Sequence, residues 1–130
     1  MQNLLTYDAI LRLNEEEERR PISEYSLSKL LVRAVQEGAL EVVKVLLDMG
    51  ADPHTRANIV EKSGFSGRDE VIHLAASMGD DKMVQLFIDK GVNIDQIGSN
   101  GTTPLIAAVE RGHLNFSKRL IEMGALPHFA

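Results

Sequence analysis

The sequence predicts an all-α fold, a solenoid of stacked antiparallel helix pairs with β-turn tips, and three observations carry that expectation. Helix-length stretches with apolar residues at i, i+3 and i+4 are each ended by a glycine. The glycines recur at a fixed interval, because Gly79 and Gly112 are 33 positions apart and so are Gly91 and Gly124. The stretch from Asn100 to Ala125 reads as one complete unit from turn to turn, and two weaker copies precede it. A single helix pair can bury its apolar side only against a neighbour, so at least three such units are needed for stability.

Residues 1–26 lie outside the repeats. Leu4, Tyr7 and Leu11 recur at i, i+3 and i+7, which predicts an N-terminal helical cap whose apolar side covers the open end of the stack. Glu15 to Glu18 followed by Arg19-Arg20 read as a solvated helix end rather than a partner-binding tail, and Pro21 and Ser23 then break the helix.

The repeat domain spans 27–130, with repeats at about 27–57, 67–97 and 100–130. In the first, Leu27, Leu30, Leu31, Ala34 and Val35 form the apolar stripe of a helix that stops at Gly38. Val42, Val43, Val45, Leu46 and Leu47 serve the second helix before Gly50. The second repeat has Asp80 as a good helix cap. The third opens on the tight turn Asn100-Gly101, with Thr103 as N-cap and Pro104 at the first helical position, where its missing N–H costs nothing. Leu105, Ala108 and Val109 form its first apolar face, Leu120 and Ile121 anchor its second helix, and His113 stands where Asp80 caps in the preceding copy. Ser117 and Arg119 replace Val43 and Val84, and Val45 and Leu86, of the earlier second helices. That polar outer face is expected of a terminal unit, so the chain is expected to be complete at Ala130, with no obvious packing place for Phe129.

The first and second copies are 41 rather than 33 positions apart, counted from Gly38 to Gly79, so an inserted loop at about 54–69 holds about eight extra residues. Insertions of this kind map to loops that either serve binding or are simply tolerated, since lengthening a loop costs only a few tenths of a kcal/mol. Phe65 in the loop decides between them: it is tucked onto the stack or waits for a partner.

The 33-residue helix-turn-helix unit resembles the ankyrin repeat, whose signature is T-P-L-H-x-A. The third copy has Thr103-Pro104-Leu105 with Ile106 in the histidine position, and the second has His73-Leu74-Ala75-Ala76 with Glu70 and Val71 where Thr-Pro belongs. Gly50-Ala51-Asp52-Pro53 and Gly91-Val92-Asn93-Ile94 resemble the turn after the second helix, and the likeness covers roughly 27–127. It implies that His73 is a structural imidazole bridging neighbouring turns, with Glu70 one helical turn earlier as its acceptor. It also implies a concave protein-binding face. Carried across position by position, one row on that face is Gln36, Ser77 and Glu110, and the next is Glu37, Met78 and Arg111. The turns add Asp69, Ser99, Asn100 and Thr102, and Phe65 joins them from the loop. Met78 stands out as an unbranched apolar side chain where solvent is expected.

Composition narrows the function further. Apolar residues make up 44% and charged residues 25%, whereas aromatics are 5% and Trp and Cys are absent, so the core is aliphatic and neither a disulfide framework nor a thiolate metal site is available. The net charge of −5, with basic residues scattered, disfavours a nucleic-acid or anionic-membrane surface. It suits either a basic partner or an ordinary solvated surface. No signal stretch and no long apolar run is present, which predicts a soluble protein kept in the cytoplasm or delivered by a signal-independent route.

Gly64-Phe65-Ser66-Gly67 is one residue short of a nucleophile elbow, no phosphate-cradling glycine loop occurs, and His54, His73, His113 and His128 lack metal-ligand spacing. The leading expectation is therefore a monomeric, non-catalytic adaptor or inhibitor without cofactor or metal, binding one or more proteins. An immunity-type protein that masks a toxin is the alternative, and an enzyme built from His73, Glu70 and the inserted loop is the weaker one.

Overall fold

The computed structural model describes residues 23–59 and 67–126. Among them are six α-helices in three consecutive pairs: α1 (Glu24–Gln36) with α2 (Leu40–Asp48), α3 (Val71–Ser77) with α4 (Asp81–Asp89), and α5 (Pro104–Glu110) with α6 (Leu114–Glu122). The first helices form one row, α1 against α3 and α3 against α5, and α2 lies against α4 in a second. Among the described residues the only β pairing is an isolated antiparallel bridge, Arg56 to Glu70. The cap helix expected on Leu4, Tyr7 and Leu11 lies outside the described residues, as do Phe65, His128 and Phe129.

Local chemistry accounts for the helix starts. Ser23 Oγ accepts the Ser26 N–H at 3.1 Å, so α1 begins at Glu24, inside the stretch assigned to the terminal cap. Asp80 Oδ1 accepts the Met83 N–H at 3.2 Å, and Thr103 Oγ1 accepts the Ile106 N–H at 3.2 Å with Pro104 next in line. Within each pair the chain reverses at a glycine of left-handed φ, +68° at Gly38 and Gly79 and +76° at Gly112. Gly79 is under a second constraint, since a Cβ there would lie 2.8 Å from His113 Nδ1 of the next repeat.

The core runs unbroken along the stack through Leu31, Val35, Val43, Leu46, Ile72, Met83, Phe87 and Leu120, all fully buried. The central helix α3 is buried at every one of its seven positions, because α1, α4 and α5 all pack against it.

The inserted loop leaves and re-enters this frame through a narrow neck. The Ala57 N–H donates to Asp69 O at 2.8 Å and the Val71 N–H to Thr55 O at 2.9 Å. Two backbone hydrogen bonds thus return the chain to α3 whatever length lies between them, and the repeat register survives. Beside the neck, a 3₁₀ turn at Ala57–Ile59 packs on α1 and α3, with Ala57 fully buried.

The third repeat departs from the sequence expectation. Ser117 is buried, its hydroxyl donating to His113 O at 2.7 Å, and Arg119 Nε reaches Asp81 Oδ2 of α4 at 2.9 Å. Neither forms a polar outer face. That face instead exposes Val109 and Ile121, which were expected to anchor the core. The reason is positional: Val35 and Ala76, which occupy the place of Val109 in the first two repeats, are each covered by the repeat that follows.

Candidate recognition surface

Side chains that cross from one turn to the next hold the turns in place. His73 Nδ1 accepts the Glu70 N–H at 2.9 Å, so the ring proton sits on Nε2, which donates to Gln96 O at 2.7 Å. His73 therefore bridges neighbouring turns, but Glu70 is not its acceptor, because the backbone N–H of Glu70 already fills Nδ1. Besides its part in the capping box, the Glu70 carboxylate reaches beyond its helix, Oε1 lying 2.8 Å from His54 Nδ1 and Oε2 accepting from Gln96 Nε2 at 2.9 Å. One carboxylate thus ties the loop neck, the start of α3 and the following turn together. Both nitrogens of His73 are bound to backbone groups, which leaves the ring nothing to offer a substrate.

The next turn is fixed in the same way. Asp69 Oδ1 accepts the Ser99 N–H at 3.0 Å, and Ser99 Oγ accepts the Arg68 N–H at 2.8 Å. The Gly98 N–H donates to Thr102 O at 2.7 Å and the Thr102 N–H to Ser99 O at 3.0 Å, closing the tip around Asn100, whose φ is +55°. Gly98 is required there, since a Cβ would run into Asp69 Oδ1 and the His73 ring. Of the turn residues expected to meet a partner, Asp69, Ser99 and Thr102 are half-buried, while Asn100 at the tip is exposed.

The rows on the first helices divide differently. Glu37, Met78 and Arg111 are the C-cap residues of α1, α3 and α5, and all three are exposed, Met78 by 38%. Gln36 is half-buried and Glu110 exposed, but Ser77 is buried, its hydroxyl donating to Leu74 O at 2.7 Å. Its carbonyl is also taken, by His113 Nε2 at 2.7 Å. His113 therefore does not cap α6 with its ring as expected; it pins the third repeat to the second. With α3 wholly buried, the middle of the first-helix row offers solvent only the Met78 side chain and the turn flanking it.

Sequence reasoning passed over His54 and Gln96, the two side chains on the Glu70 carboxylate, and Asp95, whose Oδ1 accepts the Leu126 N–H at 3.0 Å. The recurrence of polar residues just after each second-helix turn is the signal they left. On the opposite side, a groove of about 390 Å³ runs over the second helices between Leu40, Lys44, Asp81, Gln85, Leu86 and Arg119. Among the described residues no helix is long and apolar enough to cross a membrane.

The family model for ankyrin repeats in three copies matches residues 31–128, and the chain belongs to the ankyrin-repeat family. It is similar to a palmitoyltransferase of Mus musculus, 32% identical over 118 residues that make up 88% of this chain and 17% of that protein. It also resembles a glycerophosphocholine phosphodiesterase of Schizosaccharomyces pombe, 31% identical over 78% of this chain and 8% of that protein. An ankyrin repeat and KH domain-containing protein of Caenorhabditis briggsae is 32% identical over 73% of this chain and 3% of its own length. The chain spans under a fifth of the length of the curated relatives it matches. Ankyrin repeats are generally protein-binding and non-catalytic, and the activities in those names are recorded for much longer proteins.

Proposed function

We propose that this chain is a non-catalytic adaptor or inhibitor that grips one protein partner with the turn tips and the exposed ends of its first helices. The observation that carries this reading is the row of Glu37, Met78 and Arg111. The framework around these residues repeats and is buried, whereas they differ in type and all reach solvent, Met78 by 38%. An apolar side chain between an acidic and a basic one has the make-up of an interface anchor whose polar surroundings exclude water. At the loop neck Arg56 is exposed between the buried Thr55 and Ala57 and adds a partner-specific contact. The net charge of −5 favours encounter with a basic partner surface.

Capture from native lysate tests the reading when wild-type and variant baits are compared. Met78→Asp with Arg111→Glu should lose the captured partner while circular dichroism shows the helices intact, because both side chains reach solvent. Lys44→Glu with Lys82→Glu, on the second helices, should keep it. The reverse pattern would move the partner to the groove on the second-helix side.

A further inference from the structure

The outer side of α6 carries Leu114, Lys118 and Ile121 at i, i+4 and i+7 with Glu122 beside them, so these four side chains form one stripe. Leu114 is 66% and Ile121 47% exposed. The residues matching Ile121 in α2 and α4, Leu47 and Ile88, pack against the core instead. In the same repeat and just after it, Val109 and Leu126 are 59% and 54% exposed. Gly38 and Gly79 each face a side chain of the following repeat, while a Cβ on Gly112 would meet nothing within 4 Å. Among the described residues neither Lys118 nor Glu122 is in an ion pair.

We propose that this stripe binds the same stripe of a second copy of the chain, the two α6 helices running antiparallel about a two-fold axis near Leu120. In that register the stripe is its own complement, as an isologous interface requires. Lys118 meets Glu122 of the second copy, this pair occurs twice, and the two Ile121 side chains meet near the axis. A parallel arrangement would set Lys118 against Lys118 and Glu122 against Glu122. The contact involves few side chains and covers less than the roughly 800 Å² per partner of a standard stable interface. The pairing is therefore weak and concentration-dependent, and the monomer expected from the sequence is its dilute form.

Sedimentation velocity on the full chain, from about 10 μM to about 1 mM, tests this. The mass should rise toward that of two chains, and Ile121→Asp should hold it at one, with circular dichroism confirming the fold. Lys118→Glu alone and Glu122→Lys alone each convert two attractive pairs into repulsive ones, and each should weaken association about tenfold or more. Combining the two substitutions should restore it, because the pairs re-form with their signs exchanged. A single-chain mass throughout the range overturns the proposal. So does association that Ile121→Asp leaves unchanged, and so does a double variant no better than the singles.

Discussion

The second and third repeats both cap their first helices locally, but only the second extends its cap to a neighbouring turn. In the third the solution is local, Thr103 capping one N–H and Pro104 having none to cap. In the second a local capping box is tied into the stack: Glu70 at the N-cap and His73 three residues on cap each other, and the same ring reaches Gln96, 23 residues on. The comparison teaches that a helix start can be secured by residues adjacent in sequence alone or tied as well to residues adjacent in the stack. Only the second kind welds repeats together. The central repeat, covered on both sides, depends on its neighbours for burial and for hydrogen bonds alike.

The largest effect expected from that dependence is Leu74→Ala. The residue is buried on a helix with neighbours on every side, and truncation should cost about 2 to 5 kcal/mol in chemical denaturation. Because interfaces on both sides of α3 are touched, the transition should remain a single cooperative one. A separate early transition confined to one end would show that the central repeat does not couple its neighbours.

Next in size is the comparison of the two starts themselves. His73→Ala strips partners from the Glu70 N–H and the Gln96 carbonyl, at about 1 to 3 kcal/mol for each group left unsatisfied. Thr103→Ala removes one cap at about 1 kcal/mol. The pair is checked by denaturation midpoints together with hydrogen exchange at the turn tips. His73→Ala should loosen the turn at Asn93–Gln96 as well as α3, whereas Thr103→Ala should affect α5 alone. Equal and purely local effects would mean that the imidazole is only another cap.

The features legible in the sequence were those set within a repeat: three helix pairs with ends within a few residues, the Thr103 and Asp80 caps, and the reversals at Gly38, Gly79 and Gly112. The features misread depend on what stands next door. Val109 follows the same periodicity as Val35, yet its exposure is decided by whether a further repeat covers it, which no helical pattern encodes. Ser117 looks polar and therefore outward, but its hydroxyl satisfies itself on the His113 carbonyl one turn back, so the residue is buried at little cost. The Glu70 carboxylate chooses His54 and Gln96 over His73 because the neck and the next turn bring them within reach across 16 and 26 residues. Of the candidate recognition surface, the sequence placed Met78 in solvent correctly and Ser77 wrongly, since the neighbouring residues of one helix end differ in which faces the incoming third repeat.

The smallest expected difference isolates that incoming contact. Gly79 and Gly112 hold matching positions with nearly the same φ, +68° and +76°, so Gly79→Ala and Gly112→Ala incur the same left-handed penalty, about 1 to 2 kcal/mol. What differs is the space around them. A methyl at Gly112 meets nothing, while one at Gly79 presses on the His113 ring and displaces it from the Ser77 carbonyl. The Gly79 variant should therefore be the less stable by a further amount on the order of 1 kcal/mol, the net worth of one hydrogen bond. Making the same two substitutions in a His113→Ala background removes both the obstacle and the bond, and the gap should close. If it persists there, the extra cost at Gly79 comes from the backbone, and His113 does not carry the junction between the second and third repeats.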